Sequence, residues 1–201
     1  MKRVELLGPT IVCLVAIGLC ASLVSQAVPE AVANDGRNVS LAAFARIDEV
    51  LSSPRCQNCH TLGGFPRQGN DRHPHLFNVM RGPDGHGAKG LACATCHGRA
   101  NNAASGVPGA DGDWHLAPLA MGWEGLTPAL RCAHLKDASR NGGRNGTAVI
   151  DHLKTALVAW AWQPGDDARN RPRTPPPVPY DEFLKIAELW INSGAACPEP
   201  N

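Results

Sequence analysis

Cys56-Gln57-Asn58-Cys59-His60 and, 37 residues further on, Cys93-Ala94-Thr95-Cys96-His97 decide how this chain is read. C-x-x-C-H is the attachment signature of c-type haem. Two thiols three residues apart can each add to one vinyl group on the same porphyrin edge. The adjacent imidazole then lies under the ring as the proximal iron ligand. Two covalently bound haem c groups are therefore expected, on Cys56, Cys59 and His60 and on Cys93, Cys96 and His97. Two C-x-x-C pairs could instead hold zinc, but that leaves the His after each pair without a role. A thioredoxin-like redox pair is disfavoured because no βαβ pattern surrounds either motif.

The short repeat leaves no room for two self-standing mono-haem domains in tandem. Both haems are expected to share one core. Composition agrees with that need. Aromatic residues are 5% of the 201, while Gly (21) and Pro (17) make about a fifth. So loop-rich a chain has few large apolar side chains to offset its folding entropy, and porphyrins would supply apolar surface.

The N-terminus reads as an export signal. Lys2 and Arg3 precede an uncharged run of 14 residues, Ile11 to Val24, followed by the small-x-small sites Ser25-Gln26-Ala27 and Ala31-Val32-Ala33. This order marks a secretory signal peptide, and the run falls short of the ~20 residues of a spanning helix. Cleavage after Ala33 is expected to release residues 34–201 to the periplasm; membrane contact follows only if the segment stays uncleaved. Leu19 before Cys20 is too large for a lipoprotein signal. The formal charge is +1, and nothing forms a nucleic-acid footprint.

Cysteine counting gives a further expectation. Of eight cysteines, Cys13 and Cys20 leave with the signal and four belong to the motifs. The remaining pair, Cys132 and Cys197, suits a disulfide in an oxidising compartment. Thiolate ligation of an iron is the rival role.

A pure electron carrier needs a sixth ligand on each iron. His73, His75, Met80, His86, His115, Met121, His134 and His152 are available. His75 and His115 rank first, Met121 and His73 next. Arg67, Arg72 and Arg81 could pair with propionates or lie in a solvated loop.

The fold class expected is mostly α with extensive coil, a compact di-haem cytochrome c with a haem-binding part at about 40–125 and a helical C-terminal part at about 126–197. Ser40 reads as an N-cap before Leu41, Phe44, Ile47 and Leu51. Thr127-Pro128 opens a helix to about Ser139, with Asn141-Gly142-Gly143 as its stop. Ala148 to Trp162 reads as one helix, with Trp160 and Trp162 covering haem or core. A Pro-rich strap at Arg171 to Pro179 leads to a last helix begun by Asp181 and Glu182 and stopped by Gly194.

These residues resemble a known family, the small di-haem cytochromes named as an isoquinoline 1-oxidoreductase subunit. The resemblance rests on Gly64-Phe65-Pro66-Arg67-Gln68-Gly69, Arg72-His73-Pro74-His75, Arg81-Gly82-Pro83-Asp84-Gly85-His86-Gly87, Trp114-His115-Leu116-Ala117-Pro118 and Trp123-Glu124-Gly125-Leu126. Arg140-Asn141-Gly142-Gly143 and Gly194-Ala195-Ala196-Cys197-Pro198 extend it over nearly the whole mature chain. It implies partnership with a molybdenum hydroxylase, as its electron-accepting subunit, passing electrons toward a terminal oxidase or another cytochrome. The chain is too short to be the hydroxylase. The competing expectations are a haem enzyme with one open iron position, of peroxidase or thiosulfate-oxidising type, and a haem-based sensor.

Overall fold

The computed structural model describes residues 30–200. The uncharged run, Cys13, Cys20 and the first small-x-small site lie outside the described residues; the backbone is helical on both sides of Ala33. Six α-helices are joined by long coil, with little sheet. They are α1 (Glu30–Leu51), α2 (Pro54–Gln57), α3 (Pro128–Lys136), α4 (Gly146–Leu153), α5 (Ala156–Ala159) and α6 (Tyr180–Asn192). Four two-residue strands form two antiparallel ribbons: β1 (Arg67–Gln68) with β2 (His73–Pro74), and β3 (Gly87–Ala88) with β4 (Leu91–Ala92). No helix among the described residues is long and apolar enough to cross a membrane.

The core sits where α1 runs along α6. Phe44, Ile47, Val50 and Leu51 of α1 recur at helical spacing and bury one stripe. Phe183, Ala187 and Trp190 of α6 meet it, the Phe44 and Trp190 rings 5.6 Å apart. Cys132 of α3, Ile150 of α4, Met121 and Trp123 complete the cluster.

Ser40 does not cap a helix: α1 begins ten residues earlier. Its buried hydroxyl donates to the Trp190 carbonyl (3.2 Å) and accepts from the Ala196 amide (2.8 Å), so the polar side chain serves the C-terminal tail. The expected helix from Ala148 to Trp162 is broken. Thr155 caps α5 by accepting from Val158 N, and Trp160–Trp162 form one 3-10 turn. The pair Lys154-Thr155 thus ends one helix and begins another. Thr127 does cap α3, with Pro128 in its first turn.

The two halves of the sequence are fastened at α3. Arg131 grips Asp48 of α1 with both ends of its guanidinium (2.6 and 2.7 Å), and both side chains are nearly buried. Cys132 is bonded to Cys197 across 65 residues, with Cα atoms 5.6 Å apart. Closing that loop removes chain entropy from the unfolded state, about 4 kcal/mol in the loop-closure model. Cys132→Ser is expected to lower unfolding stability by about 2–4 kcal/mol. Urea midpoints of the oxidised wild type and the variant check this; equal midpoints contradict it.

Candidate functional site

Each five-residue motif makes one helical turn, closed by His60 N to Cys56 O (3.1 Å) and His97 N to Cys93 O (2.9 Å). That turn brings the first Cys, the second Cys and the His, at i, i+3 and i+4, to one face. All four motif thiols are free while the other two described cysteines are bonded. Burial pushes the Cys56 thiol up to about 11 and Cys59 to about 12, and it raises Cys93 as well. These are protonated thiols, unlike the low-pKa nucleophile of a redox pair.

Both histidines are held in the same way. His60 Nδ1 donates to the Met121 carbonyl and His97 Nδ1 to the Pro108 carbonyl, each at 2.8 Å. A carbonyl only accepts, so each Nδ1 carries the proton and each Nε2 keeps a free lone pair. A Trp lies flat against each ring: Trp123 on His60 at 3.5 Å and 8°, Trp114 on His97 at 4.5 Å and 1°. The carbonyl donated to is in both cases followed by a glycine. A Cβ on Gly122 would stand 2.5 Å from Leu62 Cδ2 and 2.9 Å from Thr61 O; one on Gly109 would strike the carbonyls of Gly98 and Ala100. Only glycine lets these segments press against the chain just beyond each motif.

The two motifs border one cavity of about 770 Å³, within the range of small-molecule and cofactor sites. Cys59 of the first motif and Cys93, Cys96 and His97 of the second line it, with His73, His75, Trp114, His115 and Trp160. His75 is the ranked candidate that stands beside a motif histidine. Its ring centroid is 6.0 Å from that of His97. Two imidazoles sharing one metal ion, each bonded at about 2 Å with a ring radius of roughly 1 Å, have centroids about 5 to 6 Å apart depending on the angle at the metal. His75 Nδ1 donates to the Leu76 carbonyl (2.8 Å), which leaves its Nε2 free as well.

The other candidates are placed differently. His73 lines the cavity with Nδ1 2.6 Å from Asp71. His115 turns Nδ1 toward Asp113 at 3.1 Å and stacks on His86. Met121 is buried in the apolar cluster and reaches His60 through its carbonyl. His152, ranked below these from the sequence, is half-buried in the last turn of α4.

Arg67 and Arg72 are engaged elsewhere: both hold Glu124, at 2.6 and 2.9 Å. Arg81 binds the carbonyls of Thr61, Gly63 and Ala117 and so pins its loop to the first motif. The cations that matter more at the cavity are Arg55 and Arg173, whose charges oppose each other. Arg55 is 4% exposed, its Nε has no partner, and its hydrogen bonds go to Gly69 O and Asn70 Oδ1 with no carboxylate. A buried guanidinium without a counter-ion is costly, so this wall suits an anionic group. The cavity therefore fits a large apolar ligand that brings its own carboxylates and takes nitrogen ligands at a metal.

Comparison of the chain with protein-family models, with curated proteins and with solved structures returned no match.

Burial, ahead of the nearby His152 and Arg81 charges, pushes His60 down to about 3, and burial also lowers His97 and His152. Unfolded histidines titrate near 6.5, so on acidification the unfolded chain takes up these protons first. Stability present above about pH 6.5 is then lost as pH falls toward 3. Protein made with no group attached is expected to show urea midpoints falling across that window, and His60→Gln to fall less steeply. Matching slopes would contradict the assignment of His60.

Proposed function

We propose that this chain is an exported di-haem c-type cytochrome that carries electrons between periplasmic proteins. The observation that carries the reading is the shared mounting of His60 and His97, each proton-locked at Nδ1, backed by a flat Trp and placed one residue after two free thiols. The haem irons supply one-electron chemistry when bound. Cys56 and Cys59, and Cys93 and Cys96, would form the thioether anchors, and His60 and His97 the proximal bonds.

His75 would help hold the second haem together with His97, on the strength of the 6.0 Å ring spacing. Trp114 and Trp160, 4.8 Å apart and edge to face, line the cavity with aromatic surface. Arg55 and Arg173 would meet propionate oxygens. Paired imidazoles lower the potential relative to an axial Met, which suits a carrier accepting electrons from a strong reductant. By the family resemblance, the donor is a molybdenum hydroxylase-type or other periplasmic dehydrogenase, and the acceptor a terminal oxidase or another cytochrome.

The test is an optical spectrum of the purified protein, ferric and then reduced, with and without carbon monoxide. Two low-spin haems and no carbon monoxide shift are expected. His75→Ala is expected to convert one haem, and one only, to a high-spin, carbon monoxide-binding form. An accessible iron in the wild type would overturn the carrier in favour of the enzyme or sensor.

A further inference from the structure

Beside the second motif, and outside the chemistry assigned above, lies a cluster that the proposed function leaves without a role. His86, Asp113 and His115 present one ligand atom each, all within 4.8 Å of one another. His86 comes from the loop before β3, and the other two from the coil that leads to Leu116. The backbone laces these segments together: Leu116 N donates to Gly85 O (2.9 Å) and Cys93 N to His86 O (2.8 Å). Gly85, at φ +88°, allows the close approach, since a Cβ there would stand 2.7 Å from Leu116 O.

The distances from the two imidazoles to Asp113 bracket the spacing of ligands around an ion. His115 Nδ1 is 3.1 Å and His86 Nε2 3.7 Å from the same Asp113 oxygen. Two ligands each about 2.1 Å from a tetrahedral ion stand roughly 3.4 Å apart. A gap of 3.7 Å is too long for a hydrogen bond. The His115–Asp113 contact at 3.1 Å is within hydrogen-bond range, as is the neighbouring His73–Asp71 contact at 2.6 Å; the His86–Asp113 gap is not. The His86 and His115 rings stack at 4.8 Å and 27°.

A supporting shell is also present. Asp84 accepts from the His86 amide (3.0 Å) and its carboxylate lies 3.5 Å from His86 Nδ1. With Nε2 turned to an ion, His86 would stand between carboxylate and metal, the arrangement that fixes the tautomer of a ligating imidazole. His86 and Asp113 are exposed and His115 is half-buried, so an ion reaches the site from solvent.

We propose that His86, Asp113 and His115 bind a divalent transition-metal ion, with Asp84 as the positioning residue for His86. Two imidazoles and one carboxylate select zinc- or copper-class ions over magnesium or calcium. The ion fastens the loop before β3 to the Asp113–Leu116 segment. None of its ligands is assigned to an iron under the proposed function, although His115 also lines the cavity.

The experiment is calorimetric titration of the purified full-length protein with Zn2+, a redox-silent probe, followed by thermal unfolding with and without the ion. One equivalent is expected to bind, with a rise in Tm as mass action requires. His86→Ala and Asp113→Asn are each expected to weaken binding at least tenfold while leaving the visible spectrum and the metal-free Tm unchanged. Magnesium is expected not to compete. Binding within twofold of wild type in both variants, or no binding by wild type, overturns the proposal. A His115→Ala variant that gains carbon monoxide binding would make His115 an iron ligand and overturn it as well.

Discussion

The hydrogen bond from His60 Nδ1 to the Met121 carbonyl spans 61 residues and is the tie on which the arrangement around the first motif turns. It fixes the tautomer, aims the ring and pulls the Met121–Trp123 segment against Thr61 and Leu62 through the opening that Gly122 leaves. Trp123 N returns to the His60 carbonyl at 2.9 Å, which closes a two-bond clamp around one residue. Met121 and Trp123 then bury their side chains in the helical core. One residue pair thus joins the coil-rich half to α1, α3 and α6. His97 makes the matching Nδ1 bond to the Pro108 carbonyl on a span of 11 residues.

Around these ties, the coil is ordered by arginines. Arg81 spends its donors on three backbone carbonyls, and Glu124 holds both Arg67 and Arg72 while accepting from Leu62 N. Arg173 binds the carbonyls of Pro164, Asp166 and Gly106 and so ties the Pro-rich strap to the loop beyond the second motif. Backbone polar groups that regular structure would satisfy are met here by guanidinium forks. The apolar core is small by comparison and is reinforced by the Cys132–Cys197 bond and the Arg131–Asp48 pair. That division of labour suits a chain whose largest apolar surface would come from bound groups.

Much of this was legible in residue types at fixed spacing. Thr127-Pro128, the apolar stripe of α1 and the even pair of remaining cysteines each carry their own geometry, and each took the expected form. Ser40 was misleading because a serine that caps a helix and one that reaches from mid-helix to a distant tail look alike in sequence. Thr155 breaks the Ala148–Trp162 pattern because its hydroxyl prefers the cap of α5, a competition the apolar period does not reveal. The carbonyls of Met121 and Pro108 left no mark, since every residue has one; only the glycine that follows each was there to be noticed. Spacing could not separate His75 from His115, because a long loop brings either within reach, and only the 6.0 Å approach of His75 to His97 distinguishes them.

The central claim is that the two C-x-x-C-H turns are attachment sites, and the intact mass of the purified protein tests it most directly. Produced in a host that attaches haem c, the chain is expected to carry two haems bonded through thioethers, with Cys132 and Cys197 still joined. Cys93→Ala paired with Cys96→Ala is expected to remove one haem and leave the other. An unmodified mass, with the four motif thiols free to alkylation or holding zinc, would contradict the account.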